Sequence, residues 1–269
     1  MSQDLRSFVT AYERANPGEV VRIAEPVSIE HDVMAVVLEY ERRRRWPVLL
    51  FEKVTGYDIP IVCNVVASRR ALACALGVDE RSLAGEYARR IKEYQKPVVV
   101  ADPPFRRRVV TGDAVDLDAL PIPSYFPGDA GRYLTAGLLV ARDPDTGVET
   151  EGYHRFQVKG KHRMGVSLHS RRRMFEYQRR AEAKGRPLPC AVVLGVHPLV
   201  SMGSLAYPPA EVGKFEVVGG LLGEPLEIAR CLTSDLHVPA AAEIVIEGEI
   251  LPGVREPEGP FGEFTGYFS

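Results

Sequence analysis

Two glutamates stand five residues apart in Glu258-Gly-Pro-Phe-Gly-Glu263, separated by Gly259, Pro260 and Gly262. Glycine and proline at that density exclude a helix and dictate a tight turn, which can aim both carboxylates at one point. Acids held in this way can divide their roles, one ionised and one protonated, as proton delivery at neutral pH requires. A solvated surface turn draws on the same residue types, so the spacing alone does not choose. Arg155, in Gly152-Tyr-His-Arg155, is a charged residue within a stretch that otherwise reads as a strand through Tyr153, Phe156 and Val158. Facing a barrel interior it needs an anionic partner, and facing water it needs none. His169 ends the next strand before a basic helix, a place suited to a helix cap or to a phosphate or metal contact. His31, His162, His197 and His237 are isolated and read as structural. No H-E-x-x-H, Walker loop, G-x-G-x-x-G after a strand, or G-x-S-x-G occurs, so zinc-protease, nucleotide and serine-hydrolase chemistry have no motif behind them.

The elements that must hold these residues fall into two bodies. Leu5, Phe8, Val9 and Tyr12 recur at helical spacing, 19–24 alternates like a strand, and a second helix covers about 31–44. Strands at 47–51 and 60–65 and helices at 68–76 and 79–93 complete a small amino-terminal α/β unit, residues 1–102, in which we find no chemistry. Residues 103–131 are dense in proline and glycine and read as a connector. From 132 the pattern turns to hairpins: a strand at 135–142, a turn at 143–147, a strand through 153–158 and another at 163–168. A helix over about 170–184, a strand at 190–196, a helix from Glu211 to Leu222 and strands at 226–231 and 243–250 lead into the acidic turn. The expected class is α+β, the second body (132–269) having barrel or sandwich grammar.

With 45% hydrophobic residues, a chain of 269 can bury a substantial core. A net charge of −2 gives no bulk attraction to nucleic acid or anionic membrane, and the arginine runs 42–45, 106–108 and 171–173 read as solvated faces or phosphate contacts. Cys63, Cys74, Cys190 and Cys231 show no C-x-x-C spacing and sit in apolar runs, which suits buried thiols in a reducing cytoplasm. No apolar run approaches the length of a membrane span.

Taken in order, Thr146-Gly-x-x-x-x-Gly152-x-x-Arg155, His169, the strand at 190–196, Asp235-Leu-His-Val-Pro-Ala240, Glu243-Ile-Val-Ile-Glu-Gly248 and Glu258-Gly-Pro-Phe-Gly-Glu-Phe-Thr-Gly-Tyr267 resemble the UbiD family of reversible aryl and acrylic acid decarboxylases. The likeness covers essentially the whole chain, and its last block is highly specific. It implies a split β-barrel domain that binds prenylated FMN, with a manganese ion, and potassium as a further ion, at the cofactor phosphate. It implies an aromatic, heteroaromatic or α,β-unsaturated carboxylic acid as substrate, decarboxylated through a prenylated-FMN adduct. By the same likeness Arg155 and Glu258 form an ion pair, Glu263 protonates the carbanion left when carbon dioxide departs, and Thr150, Tyr153, Arg155, Leu168, His169, Ser204, Ala206 and Lys214 line the cofactor. A prenyl-flavin synthase would supply that cofactor.

Two departures accompany the matches. Where the family builds its metal–phosphate site from asparagine, histidine and glutamate, this chain has Thr150, His169 and Lys214. Either Glu211 or Glu216 joins His169 on a metal, or the Lys214 ammonium replaces the metal as counter-charge to the phosphate. Family members also continue past the Gly-Tyr block into a carboxyl-terminal domain, absent from this sequence. The expectation is therefore an oligomeric decarboxylase subunit completed by a second polypeptide, the alternative being a catalytically idle subunit that binds flavin phosphate or a partner chain.

Overall fold

The structure, a computed structural model, describes residues 2–170 and 172–269, so Arg171 of the third basic run lies outside the described residues. Helix α1 (Leu5–Ala15) starts at Asp4, whose side chain accepts from the Ser7 N–H at 2.8 Å, and buries Leu5, Phe8, Val9 and Tyr12 on one face. Strand β1 (Val20–Ile23), helix α2 (Asp32–Arg42) and strands β2 (Val48–Phe51) and β3 (Ile61–Cys63) follow, with β1 parallel and β3 antiparallel to β2. Helix α3 (Arg69–Leu76) is capped by Ser68 and stopped by Gly77 at φ +70°. Helix α4 (Leu83–Arg90) begins later than the acids at 79–80 suggest, because the Asp79 carboxylate accepts from the Arg81 and Ser82 N–H groups and forms a turn instead. Helices α1, α3 and α4 share a core with Leu199, Met202 and Leu221, so the first body packs directly on helices from much later in the chain.

A two-residue strand β4 (Val98–Val99), three short 3-10 turns and β5 (Tyr133–Leu134) lead to the hairpins β6 (Leu138–Arg142) with β7 (Glu149–Tyr153) and β8 (Phe156–Gly160) with β9 (Arg163–Val166). Then come α5 (Arg173–Ala183), β10 (Leu188–Leu194), α6 (Pro198–Ser204), α7 (Lys214–Leu222), β11 (Glu227–Arg230), β12 (His237–Pro239) and β13 (Ile244–Ile250). The helix expected from Glu211 begins only at Lys214, since Gly213 keeps an extended backbone as its N-cap, and the Glu216 side chain accepts from the Gly213 N–H at 3.3 Å. Helix α6 escapes the sequence pattern because all seven of its residues are buried and leave no polar face to set a period.

Strands β13-β10-β6-β7 make one antiparallel sheet, β5-β8-β9 a second, and β12-β11-β4 a mixed third. The mixture of helices and sheets is the expected α+β class. The expected split barrel takes the form of open sheets, and no barrel closes among the described residues. Along β6 and β10 the side chains alternate: Leu138, Val140, Ala191 and Val193 pack toward α6 and α7, while Leu139, Ala141 and Val192 pack toward α5 and β8. The stretch 153–158 is not the single strand expected. β7 ends at Tyr153 in one sheet and β8 begins at Phe156 in another, which leaves His154 and Arg155 at the crossing. Arg155 is thus freed from a ladder position and turns toward the acidic turn. Among the described residues no helix is long and apolar enough to cross a membrane.

Candidate active site

Arg155 meets both acids of the terminal turn. Its Nε and Nη2 donate to the two oxygens of Glu258 at 2.9 and 2.7 Å, and Nη1 donates to Glu263 Oε1 at 2.6 Å. The guanidinium therefore spans the pair rather than serving Glu258 alone. With side chains 18%, 17% and 30% exposed, the three groups are largely withdrawn from water, where a bidentate pair is far more consequential than on a surface. Ser269 Oγ accepts from Arg155 Nη1 at 2.6 Å and donates to Glu263 Oε1 at 2.7 Å.

The turn is shaped by its glycines. Gly259 holds φ at +93°, and a Cβ on Gly262 would fall 2.3 Å from the Phe126 ring. Between the acids, Phe261 lies with its ring centre 5.1 Å from the Arg155 guanidinium and 4.7 Å from the Tyr133 ring. Tyr133 is fully buried and its hydroxyl has no hydrogen-bond partner. Burial first, and then the Glu258 carboxylate, push that phenol up to about 12, so it stands beside the acids as a neutral hydroxyl.

A second cluster lies on β7 and the helices behind it. The Tyr153 hydroxyl donates to Ser201 Oγ at 2.6 Å, and Lys214, the first residue of α7, donates to the Ser204 carbonyl with its ammonium 5.9 Å from the Tyr207 ring centre. His154 Nδ1 lies 3.0 Å from the Ser167 carbonyl. Burial holds this imidazole below its ordinary range; its bond to Ser167 opposes the shift, and the charges of Arg172, His169 and Lys214 add to it. The Arg172 and Lys214 charges thus both reach this imidazole. Thr150, Ser204 and Ala206 are buried, Leu168 is half-buried, and His169 is exposed. A Cβ on Gly152 would lie 3.8 Å from His154 Nε2 and 4.0 Å from Lys214 Nζ, so the glycine leaves a recess between them.

Sequence reasoning missed Glu151. It is 2% exposed, and neither carboxylate oxygen has a hydrogen-bond partner. Burial raises its proton affinity and Lys214 opposes the rise; burial likewise lowers that of Lys214, and Glu151 opposes the fall. The available signal was the alternation Glu149, Glu151, Tyr153, which puts two acids on the inward face of a strand. Glu149 satisfies itself with Arg142 and His237, whereas Glu151 does not.

The family model described as the 3-octaprenyl-4-hydroxybenzoate carboxy-lyase N-terminal domain matches residues 12–91, and the one described as the Rift-related domain of the same enzyme matches residues 96–269. The chain belongs to the UbiD family. Among solved structures it resembles an evolved dimeric form of the UbiD-class enzyme HmfF from Pelotomaculum thermopropionicum in complex with prFMN, at 37% identity and a TM-score of 0.93, covering 100% of this chain and 62% of that one. It also resembles the closed form of vanillic acid decarboxylase from Sedimentibacter hydroxybenzoicus, at 32% identity and a TM-score of 0.94, covering 100% of this chain and 59% of that one. Apo 3,4-dihydroxybenzoic acid decarboxylase from Klebsiella pneumoniae is similar at 29% identity and a TM-score of 0.89, covering 99% and 59%. The chain therefore spans about three fifths of the length of these relatives.

The residues of this UbiD-family chain fit a phosphate-bearing flavin better than they fit a divalent metal. For the phosphate there are the Lys214 ammonium and the Arg172 guanidinium, an unpartnered Thr150 hydroxyl and the Gly152 recess. For a metal, no three His, Cys, Asp or Glu side chains come together among the described residues, and Glu216 is engaged in capping its own helix.

Proposed function

We propose that this chain is a decarboxylase subunit acting on an aromatic, heteroaromatic or α,β-unsaturated carboxylic acid with prenylated FMN, a reversible reaction in which Glu263 delivers the proton. The observation that carries the reading is the Arg155 guanidinium spanning Glu258 and Glu263 at 2.6–2.9 Å. Both acids ionised would leave the triad at net −1, and one retained proton makes it neutral. Glu258, bound by both of its oxygens, suits the ionised role; Glu263, bound through one oxygen, keeps the other for a proton and a substrate.

When bound, the prenylated flavin supplies the electron sink that a departing carboxylate needs. The chain's own part is to hold and place. Lys214, Arg172 and His169 would hold the flavin phosphate, with Thr150 as a hydrogen-bond donor, while Tyr153, Leu168, Ser204 and Ala206 line the cofactor. Arg155 grips Glu258 by both oxygens and fixes the line of approach to Glu263, and the Phe261–Tyr133 packing keeps water from the rear of the pair. The vanillic and dihydroxybenzoic acid decarboxylases among the similar structures support an aromatic acid within the proposed class.

Lys214 favours a second reading, an idle subunit that keeps the flavin site without turnover, because an ammonium stands where the likeness leads one to expect glutamate. Co-expression with a prenyl-flavin synthase separates the readings. A chain that purifies with a modified-flavin absorption band and releases carbon dioxide from an aromatic acid supports the enzyme. A band without turnover supports the idle subunit, and a colourless chain removes the decarboxylase reading and leaves an idle subunit that binds a partner chain.

A further inference from the structure

The connector touches the acidic turn at its tightest point, through one side chain. Asp129 Oδ2 accepts from the Tyr125 and Phe126 N–H groups at 3.1 and 2.9 Å, which folds its own loop, and Oδ1 accepts from the Gly262 N–H at 2.8 Å. The Ala130 N–H beside it donates to the Pro260 carbonyl at 2.7 Å. One carboxylate thus ties the connector to the Phe261–Gly262 peptide, one residue before Glu263, and Phe126 covers Gly262 from the same side.

We propose that Asp129 is a positioning residue for the proton transfer at Glu258 and Glu263: by fixing the Gly262 peptide it sets the Glu263 carboxylate against Arg155. The proposal rests on the decarboxylase reading for its catalytic consequence, although its geometric part stands apart from that reading. The physical ground is that an N–H to carboxylate bond is charge-assisted and directional, and that proton delivery is sensitive to misplacement of about 1 Å. Gly262 has no side chain with which to anchor itself, and its neighbour Glu263 approaches Arg155 through a single oxygen. Asp129 is the side chain that supplies the missing anchor.

The test compares Asp129→Ala and the isosteric Asp129→Asn with wild type. The Asn amide nitrogen cannot accept, so this variant keeps the shape and loses one arm. The readout independent of activity is the Arg155 Nη1–H resonance in 15N NMR of the flavin-free chain, assigned by its loss in Arg155→Lys. Bound to Glu263, this proton exchanges slowly. In Asp129→Ala its exchange should quicken by about tenfold or more, in Asp129→Asn by less, with the remaining amide pattern and the melting temperature near wild type. With flavin and substrate, kcat should fall by about 10–100-fold while KM and flavin affinity stay within about twofold. Unchanged Arg155 exchange together with unchanged kcat in Asp129→Asn overturns the proposal. Should Asp129→Ala fail to fold, Asp129→Asn decides alone. A wild type that turns over no acid would end the decarboxylase reading, yet quickened Arg155 exchange in the variants would still uphold the anchor.

Discussion

Lys214 of α7 meets two adjacent residues of β7, the buried, unpartnered Glu151 carboxylate and the recess at half-buried Gly152. An ammonium there can meet a phosphate directly, as a tethered charge that cannot leave with a chelator. Lys214→Met keeps the aliphatic stem and removes the charge. It should weaken FMN binding by about 1.5–3 kcal/mol, roughly 10–100-fold, whereas a chelator should leave wild-type binding unchanged. Isothermal titration of FMN with and without chelator checks both arms, and wild-type binding that collapses on chelation would contradict the tethered-charge account. Arg155, Glu258 and Glu263 are legible in the sequence because charged groups among glycines and apolar strand residues stand out. Glu151 is legible only as one of two acids, with Glu149, on a single strand face, and nothing in that alternation tells which of them is left without a partner. Asp129 and Tyr133 are not, because their meaning lies in contacts to residues far along the chain: 133 positions for Asp129 to Gly262.

The elements with a polar and an apolar face are the ones the sequence places well, as α1, α2 and α3 illustrate. Wholly buried α6 and the broken 153–158 stretch are not, since neither continuous burial nor a change of sheet leaves a periodic trace. Helix α6 carries its own consequence. Its N-cap is His197, 2% exposed, whose Nδ1 accepts from the Leu199 N–H at 3.2 Å and whose ring meets Phe8 of α1 edge-on at 5.4 Å. A ring nitrogen that accepts must be unprotonated, and burial pushes this imidazole down to about 4. Its folded value lies below the unfolded one, so its contribution is complete above pH about 6.5 and is lost as pH falls toward 4. Each tenfold difference in proton affinity between the folded and unfolded chain is worth roughly 1.4 kcal/mol, so the loss should reach up to about 3 kcal/mol at the acid end of that window. Urea denaturation of wild type and His197→Asn at pH 7 and pH 4.5 measures it: the variant should lose distinctly less stability between the two, and parallel losses would show that His197 is not the acid-sensitive group of α6.

At the scale of the whole molecule, the candidate site exists only because distant parts of the chain meet. Arg155 leaves β7 for β8, Glu258 arrives 103 residues later, and the connector supplies the bed on which the turn rests. Family membership and the α+β class are legible from motif order alone, whereas the shared guanidinium and the recess by Lys214 needed three dimensions. The central claim is that this assembly turns Glu263 into the proton donor for a decarboxylated acid. It is tested most directly by following solvent deuterium into the product carbon with the flavin-loaded protein, wild type against Glu263→Gln. The amide is nearly isosteric with the carboxyl, so the variant should purify with its flavin band intact while deuterium incorporation falls by at least about a hundredfold. Incorporation at the wild-type rate in Glu263→Gln would contradict the account and place the donor elsewhere.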